Sequence, residues 1–252
     1  MHALSHRLAA VTRIGIYGSQ GRMGQAIAGA LAGQGARYAG GADLGDDPQP
    51  VAQAADVLVD FSNPHALEAH LAAARAAGTP ILIGTTGLSA QQHALIDGAA
   101  GSLAVLQTGN TSLGVALLQR LVRDAAARLG PDWDIEVVET HHREKLDAPS
   151  GTALMLGQAA ADGLGTTLAE AAVMDRAGLT GARAAGTVGF ASVRGGTVAG
   201  DHAVLFLGNG ERVAVAHHAE DRSIFATGAI RAALWLVGRA PGRYTMADVL
   251  GL

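Results

Sequence analysis

The segment ETHHREKLDAPSGTAL, residues 139–154, gathers two adjacent histidines, a lysine and a Pro-Ser-Gly-Thr turn. The EVVET ahead of the histidines has the pattern of a strand. Successive strand residues point to opposite faces, so His141 and His142 take different roles. One can donate a proton. The other can orient a carboxylate or close a hydrogen-bond network. Imidazole titrates near neutrality, which suits general acid work. Lys145 adds a fixed positive charge. Ser150, Gly151 and Thr152 enter a helix whose first amides and hydroxyls make an anion site suited to a carboxylate. These groups fit a small acidic substrate. Beside a hydride donor they fit reduction of a C=C or C=N bond conjugated to a group that stores negative charge. The hydride adds to one carbon, charge develops elsewhere, and the acid quenches it. No metal is expected: His-His is not HExxH and the chain has no cysteine. The bland alternative for the pair is a strand-edge couple with local hydrogen bonds. His217 and His218 are read as structural. RGG at 194–196 and GDH at 200–202 form either a mobile loop over the site or a hairpin.

A hydride donor has its own signature. GSQGRMG, from Gly18 to Gly24, follows a strand and opens a helix. Gly18 permits the tight turn, Gly21 lets a pyrophosphate approach the backbone, and Gly24 allows close helix–strand packing. The helix N-terminus supplies amide donors and a positive dipole end. Asp43 lies 25 residues after Gly18, at the end of the second strand. An acid there accepts the adenosine ribose hydroxyls, which favours NADH. Its neighbour is Leu44, not a base that would pair with a 2′-phosphate. Arg22 or Arg37 could still serve NADPH, so the expectation is preference without exclusivity. DFSNP, which contains Phe61, and GTTG, with Gly84, Thr85 and Thr86, follow later strands on the same sheet edge. Their amides and the hydroxyls of Thr85 and Thr86 are expected near the nicotinamide end.

The elements that must position these groups form two textures. Strands at 13–18, 37–43, 56–62, 80–87 and 103–108 alternate with helices at 22–31, 65–78 and 89–100, the pattern of a parallel sheet covered on both faces. Pro64 suits a first helical turn, Gly78 a C-cap, and Ser89 with Gln92 a capping box. A helix at 113–130, a strand at 132–140 and a helix from about 151 to 161 follow. Three strand candidates then end near Ala219, where length and alternation favour a mixed sheet. A last helix spans 223–238, and sequence alone leaves its destination open. The fold class is α/β, a Rossmann-like parallel sheet domain plus an α+β domain with a mixed, open sheet. Hydrophobic residues at 49% and 35 glycines allow a large core with many tight turns. A net charge of −4 argues against a nucleic acid or anionic membrane as partner. No apolar run approaches the roughly 20 residues of a membrane span. The N-terminal stretch is too short and interrupted for a secretory signal, and a cytoplasmic setting fits the lack of cysteine.

The blocks GSQGRMG, DFSNP, GTTG, ETHHREKLDAPSGTAL, VGFASVRGG with GDH, FATGAIRAALWL and YTMADVLGL occur in order over nearly the whole chain. In these the chain resembles the 4-hydroxy-tetrahydrodipicolinate reductase family of diaminopimelate and lysine synthesis. The HHxxKxDAPSGTA block is the specific part; the glycine turn alone is not. The resemblance implies that His141 is the general acid and Lys145 its partner. It puts His142, Lys145, Ser150, Gly151 and Thr152 on the substrate carboxylates. Gly18, Gly21, Arg22, Met23, Gly24, Asp43, Phe61, Gly84, Thr85, Thr86 and Asn110 fall at the dinucleotide. It implies NADH or NADPH as hydride source, a cyclic imine dicarboxylate as substrate and a homotetramer. It also implies a dinucleotide-binding domain over 1–110, a substrate-binding and oligomerisation domain over 111–220, and a helix and tail over 221–252 that return to the first. Two departures stand out. Thr111 replaces an aromatic residue often found between Asn and Ser, and Leu44 replaces an arginine that dual-specificity members can place beside the ribose acid. Two rivals share parts of the pattern. Another NAD(P)-linked dehydrogenase of a small carboxylated substrate would share the nucleotide half but not the HHxxKxDAPSGT block. A non-catalytic dinucleotide sensor would not need Lys145 beside His141.

Overall fold

Residues 11–252 are described by the structure, a computed structural model. The opening stretch, set aside above as a secretory signal, falls for the most part outside the described residues. Contacts divide the chain into two units. The first runs to Thr108 and takes in Ala226–Thr245; the second comprises Gly109–Phe225 and Met246–Leu252.

In the first unit, short apolar runs make strands buried on both faces. They are β1 (Thr12–Tyr17), β3 (Val57–Asp60), β4 (Ile81–Ile83) and β5 (Ala104–Gln107), with β2 (Ala36–Ala42) a partly exposed edge strand. Ile14, Ile16, Val57, Leu58, Ile81 and Ile83 are fully buried. Each such side chain contributes about 1.5–3 kcal/mol relative to exposure. With β11 (Gly242–Tyr244) they form one parallel sheet in the order β2-β1-β3-β4-β5-β11. The chain leaves β1 for β2 on one side and returns to β3 on the other. That reversal opens a crevice at the carboxyl ends of β1 and β3, where ligands of such sheets sit. Helices α1 (Arg22–Ala30), α2 (Gln49–Ala54), α3 (Leu67–Ala77) and α4 (Ala90–Ala100) connect the strands. Gly78 ends α3 in the left-handed conformation at φ 66°, and Ser89 with Gln92 forms the expected capping box. Pro64 opens a short 3-10 turn ahead of α3, capped by Asn63.

In the second unit, β6 (Asp134–His141) is the centre of a five-stranded mixed sheet. Its order is β10-β9-β6-β8-β7, with β7 (Ala172–Val173), β8 (Val188–Arg194), β9 (Asp201–Leu207) and β10 (Arg212–His218). β8 runs parallel to β6, and β9 antiparallel. Burial alternates strictly along β6. Ile135 and Val137 point into a core with Leu118 and Val122 of α5 (Leu113–Leu129) and Leu156 and Ala160 of α6 (Gly151–Leu164). Glu139 and His141 continue that buried face, so the period that builds the core also sets the chemistry at its end.

The short elements escape sequence patterning. A three-residue strand such as β11, or a one-turn helix such as α7 (Leu168–Ala171), is too short to display a period. The tail differs from the expected grouping of 221–252 with the first domain. Met246–Leu250 forms α9 in the second unit and contacts α5, burying Met246 and Val249. Only Ala226–Thr245, most of α8 (Ser223–Leu236) and β11, joins the first unit.

Candidate active site

The dinucleotide half belongs to the first unit. Gly18 follows β1 at φ 78°, and a Cβ there would lie 2.7 Å from the Phe61 carbonyl oxygen. A Cβ on Gly24 would collide with the Gly18 carbonyl and the Ser19 backbone. Gly21 caps α1 without a side-chain hydrogen bond, and no acid lies in the first turn. The amides of Arg22, Met23 and Gly24 are therefore left for an anion, and the glycine cradle fits a pyrophosphate. Asp43 is held in place by the turn: Ser19 Oγ donates to its Oδ2 at 2.5 Å, and the Gln20 N–H to its Oδ1 at 3.1 Å. Ser19 and Gln20 had no role in the sequence pattern. Leu44 beside it is fully exposed.

Phe61 packs its ring where a Cβ on Gly84 would be, so only glycine fits there. Thr85 donates its hydroxyl inward to Asp60 Oδ1 at 3.2 Å rather than toward a cofactor. Thr86 is exposed. Asp60 also accepts from Ser62 Oγ at 2.6 Å and faces His70 Nδ1 at 2.8 Å. His70 stacks on Tyr17 at 4.0 Å. Burial, then the charges of Asp60 and Asp47, push the Tyr17 phenol well above its ordinary pKa. This buried network ties the ends of β1, β3 and β4 together. The signal for it, an acid ending a buried strand and a histidine on the inner face of α3, lay unused in the sequence.

The histidine expected as the acid belongs to the second unit. His141 is 8% exposed, and its Nδ1–H donates to Glu139 Oε2 at 2.5 Å. Arg194, at the end of β8, grips both Glu139 oxygens at 2.7 and 2.9 Å. The Ser150 amide adds a longer contact to Oε1 at 3.3 Å. Burial would raise the Glu139 carboxyl, but Arg194, Ser192 and His141 outweigh it and hold it at about 2. The carboxylate is thus ionised, and it fixes the ring so that Nε2 is the nitrogen left to act. Ser150 caps α6 by accepting the Ala153 amide at 3.1 Å, and its Oγ lies 3.0 Å from His202 Nε2. His202 packs edge-on against His141 at 5.1 Å.

Other expected residues are distributed unevenly. Thr152 Oγ1 accepts from Asn110 Nδ2 at 2.9 Å, so Asn110, expected at the dinucleotide, lies against the anion site. Gly151 opens α6. Lys145 is near His141 in sequence but pairs with Asp147, at 2.8 and 3.0 Å to its two oxygens. His142 is anchored through its amide to Val198 O at 2.9 Å. The RGG turn is no free loop: Gly195 N donates to His141 O at 3.0 Å and Arg143 N to Gly196 O at 3.3 Å. His217 lies 3.4 Å from Ser112 Oγ at the cap of α5, and His218 pairs with Asp201 at 3.2 Å, which agrees with structural roles. Thr111 donates to Phe225 O at 2.7 Å. Glu139, Arg194 and His202 are the functional candidates that sequence patterning missed. Glu139 had a signal: two residues before His141 on a strand is the same face.

Acid should loosen this half in two stages. Burial first, and His141 second, push His202 from 6.5 down to about 4. The unfolded chain therefore takes up that proton first, and the stability from neutral His202 is full above pH 6.5 and lost as pH falls toward 4. The Glu139 contribution is full above 4.5 and lost as pH falls toward 2. Melting midpoints recorded from pH 8 to 4 should begin to fall near 6.5. A midpoint flat through that window would contradict the buried neutral His202.

The model for "Dihydrodipicolinate reductase, N-terminus" matches residues 12–111, and that for "Dihydrodipicolinate reductase, C-terminus" matches 114–250. The chain is 51% identical over 247 residues to a 4-hydroxy-tetrahydrodipicolinate reductase of Zymomonas mobilis, covering 95% of this chain and 97% of the relative. It is 48% identical to the protein of the same name from Bradyrhizobium diazoefficiens, with the same coverage. Among solved structures, the dipicolinate-bound dihydrodipicolinate reductase of Paenisporosarcina sp. TG-14 superposes with a TM-score of 0.72 at 24% identity, over 94% of this chain and 98% of that one. At that identity the superposition speaks for the fold alone.

Proposed function

The chain belongs to the dihydrodipicolinate reductase family, and on that premise we propose how its own residues carry out the family's reaction. It is an NAD(P)H-dependent oxidoreductase. It reduces (2S,4S)-4-hydroxy-2,3,4,5-tetrahydrodipicolinate to (S)-2,3,4,5-tetrahydrodipicolinate with release of water, in diaminopimelate and lysine synthesis. When bound, the dinucleotide would supply the hydride that C4 of the conjugated imine accepts once the 4-hydroxyl has left as water. What remains for the protein is to hold two carboxylates and to deliver a proton where charge develops, and transition-state charge is where a preorganised donor is worth most.

His141 is the general acid, acting through Nε2 because Glu139 holds Nδ1. Ser150, Gly151 and Thr152 bind a carboxylate at the start of α6, where amides and dipole favour an anion. His142 and Lys145 contact the substrate as well. Lys145 exchanges its Asp147 partner for the second carboxylate, an exchange of one ion pair for another at a half-exposed site. Gly18, Gly21, Arg22, Met23 and Gly24 hold the pyrophosphate, and Phe61, Gly84, Thr85 and Thr86 border the nicotinamide. Asn110 supports the carboxylate site through Thr152. The observation that carries this reading is the single network joining His141, Glu139 and the Ser150 amide. It puts the proton donor and the anion site under one carboxylate.

Asp43 is presented by Ser19 and Gln20 as a ribose acceptor with no base at Leu44, and this supports NADH over NADPH. A homotetramer is supported by the face of the mixed sheet opposite α5 and α6. There Ala216, Ala203, Val138 and Ala191 lie in register across four strands, an apolar row of the kind subunits cover. Among the described residues no helix is long and apolar enough to cross a membrane. A cytoplasmic setting is part of this reading, and the biosynthetic substrate supports it.

Initial rates test both reaction and cofactor. The substrate is made in situ by the preceding synthase from pyruvate and aspartate semialdehyde. NADH oxidation should require the synthase and exceed NADPH oxidation at low cofactor. Use of NADPH alone would overturn the Asp43 argument and keep the reaction. Consumption of neither, with the synthase active, would overturn the reaction.

A further inference from the structure

Ser150 is 2% exposed and its Oγ already accepts the Ala153 N–H at 3.1 Å. Its other neighbour is His202 Nε2 at 3.0 Å. His202 projects from β9 and is 4% exposed. Its second ring nitrogen, Nδ1, is buried without a hydrogen-bond partner among the described residues. A neutral imidazole has one N–H and one lone pair. A proton on Nδ1 would leave a buried donor orphaned, which native proteins nearly exclude, whereas an under-satisfied acceptor is tolerated more often. The proton therefore sits on Nε2 and points at Ser150. Ser150 Oγ then accepts from both Ala153 and His202, which occupies its two lone pairs. Its one hydroxyl proton must go to a third group.

We propose that His202 is a positioning residue that makes Ser150 an obligate donor to a substrate carboxylate. The proposal rests on the placement of Ser150 at the substrate. The low His202 pKa of about 4, set first by burial, agrees with an imidazole that stays neutral at working pH. A donor fixed in this way selects an acceptor-only group, which an ionised carboxylate is. The His202 ring also packs against His141, so the donor must be separated from the ring. His202→Phe keeps a ring and removes the donor. His202→Gln removes the ring and keeps an N–H at the position of Nε2.

Binding of pyridine-2,6-dicarboxylate in the presence of NADH, measured by calorimetry, tests this. His202→Phe and Ser150→Ala should each weaken binding about tenfold. The double variant should be no weaker than either, because both remove one interaction. His202→Gln should bind nearly as wild type. In turnover, His202→Phe should raise KM and leave kcat. Wild-type binding by His202→Phe, or fully additive losses in the double variant, would overturn the proposal. Should His202→Phe fail to fold, His202→Leu, which also removes the donor, takes its place: a loss equal to that of Ser150→Ala upholds the proposal and near-wild-type binding overturns it. Wild-type protein that binds no dicarboxylate would instead sink the substrate site itself, before any variant is considered.

Discussion

His141→Ala lowers kcat by about 10²–10⁴-fold, the ordinary contribution of a positioned general acid, and leaves NADH affinity unchanged. The separation follows from where the groups lie. The glycine turn, Asp43 and Gly84 belong to the first unit, and His141 ends a strand of the second. The ring is nine-tenths buried and held by one carboxylate, and the nearest imidazole, that of His202, faces Ser150 instead. Lys145 is paired with Asp147 in the free protein and, in the proposed complex, with a substrate carboxylate, so a carboxylate holds its proton in either state. Cofactor binding by fluorescence and single-turnover rates separate the two quantities. Turnover near the wild-type rate would mean that the acid has been misplaced.

Arg194→Ala costs about 3 kcal/mol of stability at neutral pH, the lower end of the range for removing one partner of a buried pair. The lower end applies because the Arg194 side chain is 21% exposed while Glu139 is 1% exposed. The loss arises from leaving the Glu139 carboxylate buried with much of its compensation gone. Arg194 also donates to Asp147 O at 2.7 Å, so the turn carrying Lys145 loosens with it. Urea unfolding at pH 7 and at pH 4 gives a check on mechanism. The pair contributes above pH 4.5 and fades toward 2, so the cost of the variant should shrink on acidification. A cost equal at both values would point to lost packing instead of a stranded charge.

The two sites differ in how far they could be read in advance. The glycine turn is legible because its backbone must approach both a phosphate and a neighbouring strand, and only glycine permits that. The histidine segment is legible because its residue types are costly to gather without a use. Asp43 stood out in the sequence, but the Ser19 hydroxyl that holds it did not. Thr85 was expected outward and donates inward, because Asp60 at the end of β3 is buried and needs donors. Asn110 was grouped with the cofactor by its place before α5, and a hydrogen bond across 42 positions puts it on Thr152.

Local order in the sequence thus determined the parallel sheet, the glycine turn, and the histidine and helix start proposed as proton donor and anion site. Each follows from a period of two or 3.6 residues, or from a residue type that only one backbone conformation suits. Tertiary structure alone decided what those groups touch. Arg194 reaches Glu139 from 55 positions away and His202 reaches Ser150 from 52. β6 lies between β8 and β9, and strand order is set by how whole elements bury their apolar faces together. No local pattern carries that information. The residue proposed as the acid could therefore be read in the chain, while its orientation and the charge state of the carboxylate behind it came only from the packing of the sheet.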